Sequence, residues 1–212
     1  MRNLEIRCMH CRPVLYLSFD IRDNERFCCE KYGDNNMNIL VLNGSPRPKG
    51  NTAQMINAFR EGAVASGNKV DVINVCRKKI AGCLACEYCH TKGNGQCVQK
   101  DDMQEVYDLL KDAEMLVLAS PVYYHGISGQ LKCTIDRFYA AAYPEKPAHL
   151  SKVAMFLSSG DPDMYEGAMF SYNGDFLGYL KLEDMGVFTH NGYDPGMSEE
   201  ELLKLKQFGE SL

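Results

Sequence analysis

The sequence has little that would take it to a membrane or to nucleic acid. No apolar run approaches the roughly 20 residues needed to cross a bilayer, and a formal charge of -5 with a pI near 5.6 is the wrong sign for a nucleic-acid face. A secretion signal is also missing: the apolar N-terminal stretch PVLYLSF is short, runs straight into Asp20 and has no small-residue cleavage site. A cytoplasmic protein is expected. Two nucleotide-binding motifs are absent as well. There is no Gly-x-Gly-x-x-Gly, and the triphosphate loop fails because five residues separate Gly44 from Gly50 and Asn51 follows.

What is present suits a soluble enzyme-sized chain. Its 212 residues, 45% apolar and 24% charged, are enough for one domain with a full core. From Met37 onward, apolar runs alternate with helical patterns. NILVLNG, KVDVINV, MLVLAS, VAMFLSS and MGVFTH are short and nearly continuous in apolarity, as strands buried on both faces of a parallel sheet require. Between them, Met55, Ile56, Phe59 and Ala63 share one helical face, Met103, Val106, Leu110 and Ala113 a second, and Ile127, Leu131, Ile135 and Phe138 a third. The spacing predicts helices over 52–66, 103–113, 127–141 and 198–208, the second opened by a capping box at Asp102-x-x-Glu105. The pattern predicts an α/β fold, a doubly wound five-stranded parallel sheet with helices on both faces.

The chain is expected to divide into an extension, residues 1–36, and the domain, 37–212. The extension carries Cys8, Cys11, Cys28 and Cys29 and no clear period. Either these cysteines bind zinc or Met37 is the true start, with Gly33-Asp34 codons able to spell a ribosome-binding purine run. Ten cysteines in all, several in Cys-x-x-Cys spacing, point in a reducing compartment to metal or redox chemistry rather than structural disulfides.

In an open α/β sheet, ligands bind outside the carboxyl ends of the strands where strand order reverses. That brings the loop GSPRPKGNT, Gly44 to Thr52, beside the loop SPVYYHG after the third strand. Ser45, Asn51 and Thr52 offer donors, Gly44 and Gly50 permit close backbone approach, and the helix behind presents free N–H groups and a positive dipole end. This is a phosphate cradle. With no cysteine in it, the loop is not that of a low-molecular-weight tyrosine phosphatase. Two tyrosines and a histidine in the second loop suit a flat, conjugated, singly phosphorylated ligand. Of the two basic residues, Arg47 with its forked donors is expected on the phosphate and Lys49 in solvent.

GSPRPKGNT followed by SPVYYHGISGQLKCTIDR resembles the signature of the flavodoxin-like NAD(P)H-dependent FMN reductases, a family that includes the iron-sulfur flavoproteins. The resemblance implies that Ser45, Arg47, Asn51 and Thr52 hold the FMN phosphate. Pro121, Val122, Tyr123, Tyr124, His125 and Gly126 would then lie along the isoalloxazine, with Ser159 and Gly160 as a third contact. It also implies NAD(P)H as electron donor, a small acceptor such as a quinone, flavin, nitro or azo compound, and a homodimer or homotetramer. No side chain stands out as an essential acid or base. Asp136 and Arg137, in IDR, are expected to pair on the third helix.

The largest departure from a plain flavodoxin is CLACEYCHTKGNGQC, with Cys83, Cys86, Cys89 and Cys97 in one short segment. Four close thiolates suit a [4Fe-4S] cluster, one cysteine per iron. Zinc on the same set, or four reduced thiols shielding the flavin or a dimer contact, are the alternatives. His90 is expected in an exposed loop, and Cys76 and Cys133 as buried thiols. The cluster reading would make the protein an electron carrier exchanging electrons with ferredoxin.

Overall fold

The computed structural model describes residues 36–212, so the extension and its four cysteines fall outside the described residues save for Asn36. Five strands, β1 (Asn38–Asn43), β2 (Lys69–Asn74), β3 (Met115–Pro121), β4 (Lys152–Ser159) and β5 (Glu183–Asn191), form one sheet in the order β2-β1-β3-β4-β5. Every pairing is parallel. This is the flavodoxin-like order, and it puts the switch point between β1 and β3. The central strands are apolar on both faces because helices cover both: β3 is buried from Met115 to Ser120.

One face carries α1 (Asn51–Ala65) and α6 (Glu199–Glu210). Phe59, Phe156, Phe188 and Phe208 pack edge-to-face or tilted at centroid separations of 4.7–6.5 Å. Phe59, with no exposed surface, contributes about 1.5–3 kcal/mol by burial. The two helices touch backbone to backbone. A Cβ on Gly62 would lie 1.9 Å from the Lys206 carbonyl oxygen, and one on Gly209 2.3 Å from that of Phe59. Only glycine fits either position.

The other face carries α3 (Met103–Leu110), α4 (Gly129–Asp136) with a 3₁₀ turn at Arg137–Ala140, and α5 (Glu166–Ser171) continuing into a π-helix, Tyr172–Tyr179. A short α2 (Tyr88–Thr91) lies in the cysteine segment. The five strands and α1, α3, α4 and α6 fall where the periodicity puts them; α2, α5 and the π-helix have no counterpart in it, and two ends differ. α3 stops at Leu110, and its expected capping box does not form: Asp102 accepts from Lys79 N at 2.7 Å, Glu105 pairs with Lys78, and Asp101 takes Met103 N at 3.2 Å. A tertiary partner outcompetes the local cap. α4 begins at Gly129, where Ser128 accepts from Leu131 N. A complete capping box does form at Ser198 and Glu201, opening α6. No described helix is long and apolar enough to cross a membrane.

Candidate functional site

β1 ends at Asn43, whose side chain fixes the start of the next loop by accepting from Ser45 N at 2.9 Å. Gly44 follows because its N–H reaches Ala119 of β3 at 2.8 Å while Ser128 and Leu131 crowd its Cα. A Cβ there would sit 2.6 Å from Ser128 Oγ. The Ser45 hydroxyl accepts from Arg47 N, and Gly50 starts α1 with no side-chain cap. The helix therefore presents its first N–H groups to whatever lies beyond the loop.

A cleft with about 570 Å³ of space between atoms opens at this point, at the carboxyl ends of β1, β3 and β4. Ser45, Arg47, Asn51 and Thr52 line it from the first loop, Pro121, Val122 and Tyr123 from the second, and Ser159 and Gly160 from the third. Nine expected residues are thus brought together. Tyr124, His125 and Gly126 are not among its walls. Tyr123 and Gly126 exchange two backbone hydrogen bonds, closing a tight turn that carries Tyr124 and His125 at positive φ and out into solvent.

Asn51 has a different job from the one expected of its side chain. Its amide donates to Gly192 O at 3.1 Å and accepts from Gly196 N at 2.9 Å, tying the loop after β5 to α1. Its backbone N–H faces the cleft and donates to Asp194 Oδ1 at 2.6 Å, and Asp194 also pairs with Arg47. Burial works against the Asp194 charge, but Arg47 and Asn51 outweigh it and hold the carboxyl below its ordinary range. A carboxylate of the protein itself sits on the helix N-terminus and guanidinium that would hold a phosphate, so the donor set fits an anion. Thr52 Oγ1 and Ser158 Oγ lie 2.8 Å apart on its floor.

Ser158, Gly192, Tyr193 and Asp194 are cleft residues that sequence reasoning missed. Asp-Pro-Gly in a turn-rich tail reads as an ordinary turn, and no local signal marks it as part of a site more than 140 residues earlier. Beneath that loop His190 is 4% exposed, with Nδ1 2.8 Å from Glu201 Oε1. Burial opposes the Glu201 charge, yet His190 and Ser198 bring its pKa down to about 2.

The four cysteines line a second pocket, whose walls include Arg137, Tyr139 and Glu87. Cys89 is buried, Cys97 half-buried, Cys83 and Cys86 exposed. Burial raises the Cys89 pKa. Among the described residues no three His, Cys, Asp or Glu side chains stand together at metal-binding separation. The segment nevertheless has the chemistry of a wrapping loop. Ala85, Glu87 and Asn94 are all left-handed, a costly state for residues with a Cβ, and Ala85 N donates to Cys83 Sγ at 3.4 Å.

IDR does not form the expected pair. Asp136 binds Lys132, and Arg137, 1% exposed, makes a two-pronged bond to Asp101 at 2.8 and 3.2 Å and a third bond to Ala81 O at 3.0 Å. Burial opposes the guanidinium charge, but Asp101, Tyr107 and Cys97 outweigh it and raise its pKa. His90 is half-buried against Tyr139 and Tyr143, with Nε2 2.8 Å from Tyr139 O, rather than exposed. Cys76 and Cys133 are half-buried, the Cys76 thiol donating to Gly44 O at 3.0 Å.

Comparison with known proteins agrees with this geometry. An iron-sulfur flavoprotein of Archaeoglobus fulgidus is 32% identical over 181 residues, 83% of this chain and 79% of that one. A second relative, iron-sulfur flavoprotein MJ0731 of Methanocaldococcus jannaschii, is 36% identical over 58% of this chain and 62% of its own. Among solved structures, an NAD(P)H:quinone oxidoreductase from Methanothermobacter marburgensis superposes with a TM-score of 0.63 at 20% identity, over 83% of this chain and 96% of that one. An FMN-dependent NADH-azoreductase from Bacillus anthracis, in complex with FMN, gives 0.56 at 17%, over 82% and 96%. At these identities the superpositions establish the flavodoxin-like fold. The family described as NADPH-dependent FMN reductase matches residues 37–170, and the chain is therefore an FMN-binding oxidoreductase belonging to the NADPH-dependent FMN reductase family.

Proposed function

We propose that the protein is an iron-sulfur flavoprotein that passes electrons between FMN in the first cleft and a [4Fe-4S] cluster on Cys83, Cys86, Cys89 and Cys97. The observation that carries this reading is that the four thiols line one pocket together with a buried arginine, while the relatives just described bear the iron-sulfur flavoprotein name. Ser45, Arg47, Thr52 and the Asn51 N–H would hold the FMN phosphate, with Asp194 giving up its place on them, and Pro121, Val122 and Tyr123 would bound the ring. Bound there, FMN supplies both one-electron and two-electron chemistry. On this reading the chain itself binds and orients, and no side chain is assigned a role as acid or base. Ferredoxin, or another one-electron protein, is the partner of this reading, in a homodimer or homotetramer.

A second reading is favoured by the open mouth of the cleft, where exposed Tyr123 and Tyr193 offer rings to a nicotinamide or a flat acceptor. Here NAD(P)H is the donor and a quinone, flavin, nitro or azo compound the acceptor. Anaerobic purification followed by iron and FMN analysis, then stopped-flow mixing with NADH, NADPH or reduced ferredoxin, separates them. Iron near four per chain with reduction by ferredoxin supports the first reading. Flavin without iron, reduced by a nucleotide, replaces it with the second.

A further inference from the structure

Arg137 is the largest fully buried side chain in the described domain, and the electron-carrier reading gives it no role. Its position is unusual for a structural arginine. Its two terminal nitrogens are satisfied by Asp101 and Ala81, residues that flank the cysteine segment on its two sides. Asp101 further accepts from Ala81 N, and Lys79 and Asp102 exchange two more bonds across the same neck. The guanidinium thus cross-links both stems of the loop to the end of α4. Its Nε, also buried, has no partner among the described residues, although a buried N–H without an acceptor is costly. Arg137 lines the same pocket as the four cysteines.

Resting on the cluster reading, we propose that Arg137 is the positioning residue of the cysteine site: it closes the neck of the loop and directs its spare N–H and its positive charge at the anionic metal–thiolate group held there. A [4Fe-4S] cluster with four thiolates is negative in both redox states, and each electron added makes it more so. A fixed cation and an N–H···S bond therefore stabilise the reduced form more than the oxidised one and raise the reduction potential. Asp101 acts in the opposite sense, as the counter-charge that keeps this effect moderate. No bond is made or broken in the protein: one electron from the reductant enters the cluster.

The test is a dithionite titration of the cluster, followed by electron paramagnetic resonance, in anaerobically prepared wild type, Arg137→Met and Asp101→Asn, with FMN content and thermal unfolding measured alongside. Removing the cation lowers the potential and removing the carboxylate raises it. Each shift is expected to be about tenfold in the one-electron reduction equilibrium, about 59 mV. Where Arg137→Met retains no iron, Arg137→Lys is titrated instead. It keeps the charge but loses the fork and the Nε–H, and its cluster is expected to be several-fold harder to reduce. Shifts of the same sign in the first two variants, or an unshifted Arg137→Lys, would overturn the proposal while leaving the cluster reading intact. So would loss of FMN together with iron from Arg137→Lys, which would make the residue a scaffold element only. Absence of iron from wild type overturns the cluster reading itself, and this inference with it.

Discussion

The phosphate loop and the cysteine loop are built in opposite ways. The first is fixed by the fold. Ser45, Asn51 and Thr52 are buried, the loop is tied to β3 through Gly44, and their partners include Ser158 at the end of β4 and Gly192 and Gly196 after β5. The second is fixed at its neck and, inside it, where His90 and Glu87 meet Tyr139. Between Ala81 and Asp101 lies one four-residue helical turn, most side chains are exposed, and three non-glycine residues are left-handed. A site built by the sheet is formed before its ligand arrives. On the cluster reading, the exposed remainder of the cysteine loop would draw its order from the metal group it binds.

The contrast can be broken most directly through the cysteines. Replacing Cys83 and Cys86 together by serine is expected to remove all iron and leave FMN stoichiometry unchanged, as read by metal analysis and flavin absorbance. Coupled loss of both cofactors would mean that the two regions are one site. The reverse experiment is Gly44→Val. A Cβ 2.6 Å from Ser128 Oγ forces the cradle apart, so FMN affinity should fall by about a hundredfold and stability by about 1–3 kcal/mol, with iron retained. Fluorescence titration with FMN and chemical denaturation read both.

Asp194→Asn sharpens the comparison in the other direction. The carboxylate competes with a phosphate for Arg47 and the Asn51 N–H, so removing its charge should tighten FMN about tenfold, or about 1.4 kcal/mol. The gain should shrink as salt rises. An unchanged or weaker affinity would show that Asp194 does not occupy the phosphate's place.

The smallest effect concerns pH. Glu201 is held near 2, below its unfolded value near 4.5, so its pairing with His190 adds stability at neutral pH. That contribution is full above the unfolded value and is lost as pH falls from about 4.5 through 2. Thermal unfolding of Glu201→Gln between pH 6 and 3 should show a shallower fall in Tm than wild type, the two curves converging in acid.

Much of this was legible in the sequence because it follows from local pattern. β1 and β3 announce themselves by continuous apolarity, α1 by its stripe, and Gly44 to Thr52 by glycines and small donors between them. What was hidden depends on distant partners. Asp102 looks like a helix cap until Lys79 is placed beside it. Arg137 looks paired with its neighbour Asp136, yet side chains one residue apart on a helix diverge, and the half-buried carboxylate of Asp101 wins. Tyr124 and His125 share a motif with Tyr123, but the turn's positive φ values point them away from the cleft.

The bond between Asn51 and Asp194 spans 143 residues of chain. During synthesis, the donors of the cradle leave the ribosome well before the loop that closes it, which follows β5 in the chain. A chain that ends before β5 holds the donors but has no finished pocket to offer. Capture of the nucleotide therefore waits for the segment that follows β5, and flavin supply in the cell would bear on a chain that already carries it rather than on the earlier stages of translation.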